Sequence, residues 1–178
     1  SGRFLRASDL GMSGENNEWK PVIQDKLSQQ LLVPNGTMGQ RWEEGKKWNL
    51  KLETEDGTPI DPMLSMAESD YHVETIQFPY FDSSGDGIFE RPIATRTIQL
   101  ANGEKVKIAT VYDLMTSQYG VQRFEHELEA TSYDDASSKY TPAWQEQITG
   151  IKKELVTKVA KEFAQNAIDT KGRSMIIM

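Results

Sequence analysis

The chain has 178 residues, with 20 Lys and Arg against 27 Asp and Glu, two His and no Cys. That length suits one domain, or one domain with a small appendage, able to bury a core without disulfides or a structural metal. The absence of cysteine excludes a disulfide framework, thiolate zinc, an iron–sulfur cluster held by this chain and a cysteine nucleophile. A net charge of −7 argues against a phosphate-backbone binder, so no nucleic-acid partner is expected.

Residues 1–12 space Phe4, Leu5, Ala7 and Leu10 for a helical turn or two, and Ser13 to Asn17 has the composition of a loop. From Trp19 to Leu52 the pattern is strand and turn. Leu31-Leu32-Val33 runs into a turn at Pro34-Asn35-Gly36, and Trp48, Leu50 and Leu52 alternate with polar residues at the period of a half-buried strand. Asp56-Gly57 and Pro59 to Pro62 break the pattern, and 63–75 is ambiguous.

The clearest element is a hairpin over 97–111. Its Asn102-Gly103 pair accepts positive φ at both central positions of a two-residue turn. From Thr110 the period changes from two to 3.6, which predicts helices over 112–119, 141–149 and 152–168. Thr141-Pro142 is an N-cap followed by proline at the first helical position. In the last helix Leu155, Val159 and Phe163 form a row flanked by Val156, Ala160, Ala164 and Ala167, and Glu154 stands four residues before Lys158. Met175 to Met178 reads as a terminal strand whose sheet neighbours lie outside the chain. The fold class is therefore α+β, with a β-rich part over 1–111 and a helical part over 112–178 that ends in a short strand.

No stretch has the ~18 to 20 apolar residues of a membrane span. There is neither an initiator Met nor an apolar leader at Ser1. Both ends read as internal to a longer chain. The segment is expected to be soluble, with an apolar patch near 174–178 that pairs with a copy of itself.

Candidate chemistry is thin. Asp82 to Gly87 opens like a calcium loop, but the twelfth position is Ile93 rather than a carboxylate, so a surface turn is the better reading. His126 lies between Glu125 and Glu127, side chains that diverge on a helix, and His72 has no second histidine at metal spacing. Asp134-Asp135 could split their pKa values as an acid–base pair, yet adjacent residues on irregular chain seldom converge. Lysines 152, 153, 158 and 161 mix with Glu154 and Glu162 as a solvated helix face. Trp19, Trp42, Trp48 and Trp144 read as core or interface anchors. No serine sits in a nucleophile elbow and no glycine-rich phosphate loop occurs. No catalytic, cofactor-binding or metal residue is assigned.

Several strings carry a family likeness. Ala130-Thr131-Ser132-Tyr133-Asp134-Asp135, Tyr140-Thr141-Pro142-Ala143-Trp144, Glu146 to Gly150, Lys161 to Ala164 and Gly172 to Ile177 resemble the catalytic alpha chain of membrane-bound respiratory nitrate reductases. Thr-Pro-x-Trp-x-x-x-Ile-Thr-Gly alone points only to the molybdopterin oxidoreductase superfamily. Gly2 to Leu10, Val33 to Gly36, Lys47 to Leu50, Phe78 to Phe81 and Thr110 to Leu114 resemble the same enzyme in the same order, and the likeness weakens in 53–75 and 82–95.

The resemblance implies an internal scaffold segment of that chain, with 112–178 belonging to its cofactor domain. It implies a parent that reduces nitrate to nitrite at molybdenum held by two pterin guanine dinucleotides, beside one [4Fe–4S] cluster. It also implies an iron–sulfur beta subunit and a membrane haem gamma subunit as partners, at the cytoplasmic face of the bacterial membrane. In the family the cluster and molybdenum ligands precede the matched part, so the segment alone is expected to hold no cofactor and to be inactive. The rival reading is a free-standing β-rich binding or interaction module.

Overall fold

The computed structural model describes residues 3–35, 52–79, 88–121, 123–124, 132–170 and 172–177. Among them five strands precede three helices, β1 (Ile23–Gln24), β2 (Leu31–Leu32), β3 (His72–Pro79), β4 (Ile88–Gln99), β5 (Lys105–Ile108), α1 (Val111–Gln118), α2 (Pro142–Thr149) and α3 (Lys153–Asp169). The chain is α+β, with its helices in the C-terminal part. It divides into two compact units, Ser1–Glu74 with Ile93–Leu114 and Thr75–Pro92 with Met115–Met178. The alternating stretch expected over 47–53 lies outside the described residues as far as Lys51.

In the first unit the helical spacing near the N-terminus becomes a 3-10 turn, Ala7–Leu10, ended by Gly11 at φ 69°. Asp9 fixes it, accepting from the Arg6 amide at 2.8 Å and from both terminal nitrogens of Arg3 at 2.9 and 2.6 Å. Strands β1 and β2 pair antiparallel, with Ile23 opposite Leu32. Asp25 then ties this ribbon to a distant loop, because its carboxylate accepts from the Ser28 amide and hydroxyl and from the Asp61 amide. The apolar core of the unit is Ala7, Ile60, Met63, Met66, Ile93 and Ala94. The ambiguous 63–75 stretch resolves into a second 3-10 turn, Met66–Glu68, capped by Ser65.

Strands β3, β4 and β5 form one sheet in that order, and β4 pairs antiparallel with β5 from Arg96 opposite Ile108 to Gln99 opposite Lys105. The hairpin is where the sequence puts it, but its turn is not a two-residue one. Only Gly103 has positive φ, 87°, while Asn102 does not. The Gly103 amide donates to the Leu100 carbonyl at 2.9 Å and the Leu100 amide to the Glu104 carbonyl at 2.8 Å. This is a three-residue loop closed by a glycine in the left-handed region. Asn102 acts through its side chain instead, accepting from the Glu104 amide at 2.9 Å. The Ala101 amide, freed from the ladder by this geometry, donates to the Asp9 carbonyl at 2.8 Å.

In the second unit Phe78, Phe89 and Ala143 are buried, and the Phe78 and Phe89 rings stack at 5.7 Å. Helix α2 begins as its sequence predicts, with Thr141 Oγ1 accepting from the Trp144 amide at 3.1 Å and proline in the first turn. It ends at Gly150, φ 73°, whose amide donates to Glu146. Helix α3 spans the expected stretch but buries none of its residues fully.

One expected element is missing. Residues 173–177 form no strand. A strand exists only where a neighbour supplies partners for its amides and carbonyls. Here the chain turns back along α3 on side-chain bonds, Ser174 Oγ donating to the Phe163 carbonyl at 2.9 Å and Asn166 Nδ2 to Ser174 Oγ at 2.8 Å. Met175, Ile176 and Ile177 are left exposed.

Candidate functional site

The most concentrated polar chemistry lies around Asp113, in the first turn of α1. It is 1% exposed. Thr110, immediately before the helix, accepts from the Asp113 amide at 2.9 Å and donates its hydroxyl back to Oδ2 at 2.8 Å. Ser65 Oγ donates to Oδ1 at 2.6 Å and the Met66 amide to Oδ2 at 2.8 Å. Two helix starts therefore meet on one carboxylate. The 3-10 turn at Met66–Glu68 offers amides that lack partners within so short a turn, and Asp113 accepts from the first of them. Its oxygens face donors from two elements and almost no solvent. A carboxylate so placed locks these segments together.

The second concentration surrounds Tyr140, which holds φ 68° without being glycine. Its ring contacts Phe89 at 6.0 Å, Tyr119 edge-on at 5.7 Å and Trp144 edge-on at 5.4 Å. Next to it the Thr141 hydroxyl bonds the Asp135 carbonyl at 2.7 Å and the Ser138 carbonyl at 3.1 Å besides capping α2. Tyr140-Thr141-Pro142-Ala143-Trp144 is thus a joint in which the loop, the aromatic cluster and the helix start are fixed together.

The neighbouring acidic pair diverges. Asp134 reaches Lys153 at 2.6 Å, whereas Asp135 turns inward on its own loop to accept from the Ser137 hydroxyl and amide. The Ser137 hydroxyl, then backbone amides, hold the Asp135 carboxyl below the usual carboxylate range. Lys152 pairs with Glu146 at 2.6 Å, and that lysine, followed by the Lys153 amide, lowers the Glu146 carboxyl in turn. Asp134, Glu146, Lys152 and Lys153, with Glu154, line a shallow, open cleft between α2 and α3. Both of its lysines are engaged by carboxylates, Lys152 by Glu146 and Lys153 by Asp134, so neither stands free for an anionic ligand.

The other candidates do not converge on it. His72 is an exposed residue at the start of β3, and its carbonyl accepts from Thr95 Oγ1 at 3.2 Å. Lys158 reaches Glu162 at 3.8 Å on the solvated face of α3. Trp19 is exposed and engages through its carbonyl, which accepts from Arg6 Nη1 at 2.7 Å. Trp144 is half-buried against Tyr140. Asp82 to Gly87, Glu125, His126, Glu127, Trp42 and Trp48 lie outside the described residues. Among the described residues, no three His, Cys, Asp or Glu gather as a metal-holding group.

The Asp113 cluster is not among the candidates that the sequence offers. Its signal was present as Ser65-x-x-Glu68 and Thr110-x-x-Asp113, two N-terminal capping patterns. Nothing in either pattern says that one would close on the other.

No protein-family model matches the chain. Whole proteins match it throughout. It is 48% identical over 179 aligned residues to the nitrate reductase alpha chain of Bacillus subtilis, covering 100% of this chain and 14% of that protein. It is 40% identical over 192 residues to the respiratory nitrate reductase 1 alpha chain of Escherichia coli, again 100% of this chain and 15% of the relative. The nitrate reductase alpha subunit of Mycobacterium tuberculosis is 40% identical over 185 residues, 99% of this chain and 14% of the relative. The chain thus spans about one seventh of the length of these relatives. Along its whole length it is a homologue of one stretch of the nitrate reductase alpha chains.

Proposed function

We propose that this chain serves as a scaffold segment of a nitrate reductase alpha chain, an enzyme that reduces nitrate to nitrite at a molybdenum centre. The observation that carries this reading is the 48% identity maintained across all of the chain. In the parent, two pterin guanine dinucleotides would hold the molybdenum and a [4Fe–4S] cluster would pass electrons to it. An iron–sulfur beta subunit and a haem-bearing gamma subunit would bring those electrons to the cytoplasmic face of the membrane.

Among the described residues, the buried carboxylate and the lysines of the α2–α3 cleft do not fit those groups as ligands. A cluster calls for thiolates, and the sequence has no cysteine. The buried carboxylate, Asp113, is taken up by Ser65, Met66 and Thr110. Pterin dinucleotide phosphates call for converging cations and glycine-rich turns, whereas the lysines at the α2–α3 cleft are committed to Glu146 and Asp134. The segment's role is mechanical, with 112–178 packing in the cofactor-bearing part of the parent and no residue here acting in catalysis.

The test is metal analysis and a nitrate assay with reduced viologen dye on the purified 178-residue chain. No stoichiometric molybdenum or iron and no nitrite above a heat-killed control are expected. Either signal would require a site in this chain and would end the scaffold reading.

A further inference from the structure

Asn102-Gly103, at the tip of the β4–β5 hairpin, is a pair chemically prone to lose ammonia without any enzyme. The Gly103 nitrogen attacks the Asn102 side-chain carbonyl carbon, Cγ, and closes a succinimide ring. The new N–Cγ bond replaces the Cγ–Nδ2 bond, the attacking nitrogen gives up its proton, and ammonia leaves. Water then opens the ring at either carbonyl. One opening gives an aspartyl residue. The other gives an isoaspartyl residue, whose main chain runs through Cβ and Cγ and is one carbon longer. Glycine favours the reaction because it has no Cβ to crowd the attacking nitrogen.

Both residues are exposed, so water reaches them. The fold nevertheless holds each reacting group. The Gly103 amide, which must give up its proton, donates to the Leu100 carbonyl at 2.9 Å. Asn102 Oδ1 accepts from the Glu104 amide at 2.9 Å. Turning the 102–103 peptide so that its nitrogen faces Cγ breaks both bonds. The rest of the loop resists that turn. The Leu100 amide donates to the Glu104 carbonyl at 2.8 Å, the Ala101 amide to the Asp9 carbonyl at 2.8 Å, and Gln99 Nε2 to the Gly103 carbonyl at 3.3 Å. Gln99 itself stands opposite Lys105 in the ladder.

We propose that Asn102 is a latent modification site, shut in the folded hairpin and deamidated only when the loop opens. The two products act differently. An aspartyl side chain still offers an oxygen to the Glu104 amide, and the loop closes again. An isoaspartyl residue lengthens the three-residue loop by a backbone carbon, so the Gly103–Leu100 bond and the Ala101–Asp9 contact do not both re-form. The pair thereby turns a transient opening of the hairpin into its permanent loss. This inference concerns only residues of the first unit and stands apart from the scaffold reading.

The test incubates the 178-residue chain and a synthetic peptide of residues 98–105 side by side in mildly alkaline buffer. Digestion and mass spectrometry read the acid form at Asn102, with the two products separated by chromatography. The chain should deamidate at least about tenfold more slowly than the peptide, and its Gly103 amide should be protected from hydrogen exchange at least about tenfold. Urea that unfolds the chain should bring its rate to that of the peptide. Equal rates in chain and peptide would overturn the proposal. A chain that reacts faster would also overturn it, by making the Glu104 amide a stabiliser of the forming oxyanion. Slow deamidation with an unprotected Gly103 amide, or one that stays slow in urea, would place the cause outside the loop's hydrogen bonds and overturn it too. The products are tested separately. Asn102→Asp should keep the Gly103 protection within about threefold, whereas the purified isoaspartyl chain should lose it by about tenfold or more. Equal protection in the two would overturn the claim of permanent loss.

Discussion

Asp113 shows how one residue can hold distant segments of a fold together. Its carboxylate gathers donors from Ser65, Met66 and Thr110, which lie 48, 47 and 3 residues away. Asp113→Ala leaves those donors buried and unmatched, and a loss of roughly 3 kcal/mol or more is expected in urea unfolding. Asp113→Asn is milder, about 1–2 kcal/mol, because the Ser65 hydroxyl can rotate to accept from the new amide while the remaining oxygen still serves Met66 and Thr110. Should the two variants prove equally damaging, packing rather than hydrogen bonding would be the source of the stability. Acid acts on a different set. Hydrogen bonds from Ser28 and the Asp61 amide hold the Asp25 carboxyl below its ordinary value, and Ser137 does the same for Asp135. A carboxyl lowered by folding stabilises the native state above its unfolded pKa and loses that advantage as pH falls through the folded one. Unfolding midpoints should therefore hold from pH 7 to about 5 and fall below about pH 4, less steeply in Asp25→Asn than in the parent.

At the scale of elements, the legible features were those fixed by neighbours in sequence. Thr141-Pro142 and Gly150 bracket α2 because a cap, a ring-locked φ and a left-handed stop act within a few residues. Thr141→Ala should cost about 1–2 kcal/mol, more than an ordinary cap, since the hydroxyl also holds the Asp135 and Ser138 carbonyls. Gly150→Ala meets nothing within 4 Å and should cost only about 1 kcal/mol of backbone strain, readable in the same unfolding experiment. The hairpin was legible in place but not in turn type. Asn102-Gly103 permits a two-residue turn, and the observed three-residue loop instead releases the Ala101 amide to the Asp9 carbonyl. That contact joins residues 92 positions apart, which local turn chemistry cannot encode. The closure of Ser65 and Thr110 on Asp113 escaped the sequence for the same reason. The terminal strand failed differently, since its apolar pattern is sound but a strand requires partners that the described residues do not provide.

For the molecule as a whole, the exposed row on α3 and the run 175–177 set how the chain behaves alone. Monomeric proteins seldom leave so many large aliphatic and aromatic side chains contiguous and uncovered. A net charge of −7 opposes association over long range, but it is screened within about 8 Å at physiological ionic strength, and the apolar contacts act at shorter range. Among the described residues no backbone hydrogen bond engages Met175, Ile176 or Ile177, so their amides and carbonyls are available to an identical strand from another molecule. Sedimentation of the isolated 178-residue chain at roughly 10–100 μM should show dimers or larger species whose fraction rises with salt as the repulsion is screened. Phe163→Asp with Ile176→Asp should return it to monomer, because each charge interrupts one of the two apolar parts of the surface. Lys158→Ala, on the solvated face with Glu162, should leave the distribution unchanged. A chain that stays monomeric without those substitutions, at high salt and at the top of that range, would mean that Leu155, Val159 and Phe163 find their cover within the segment itself.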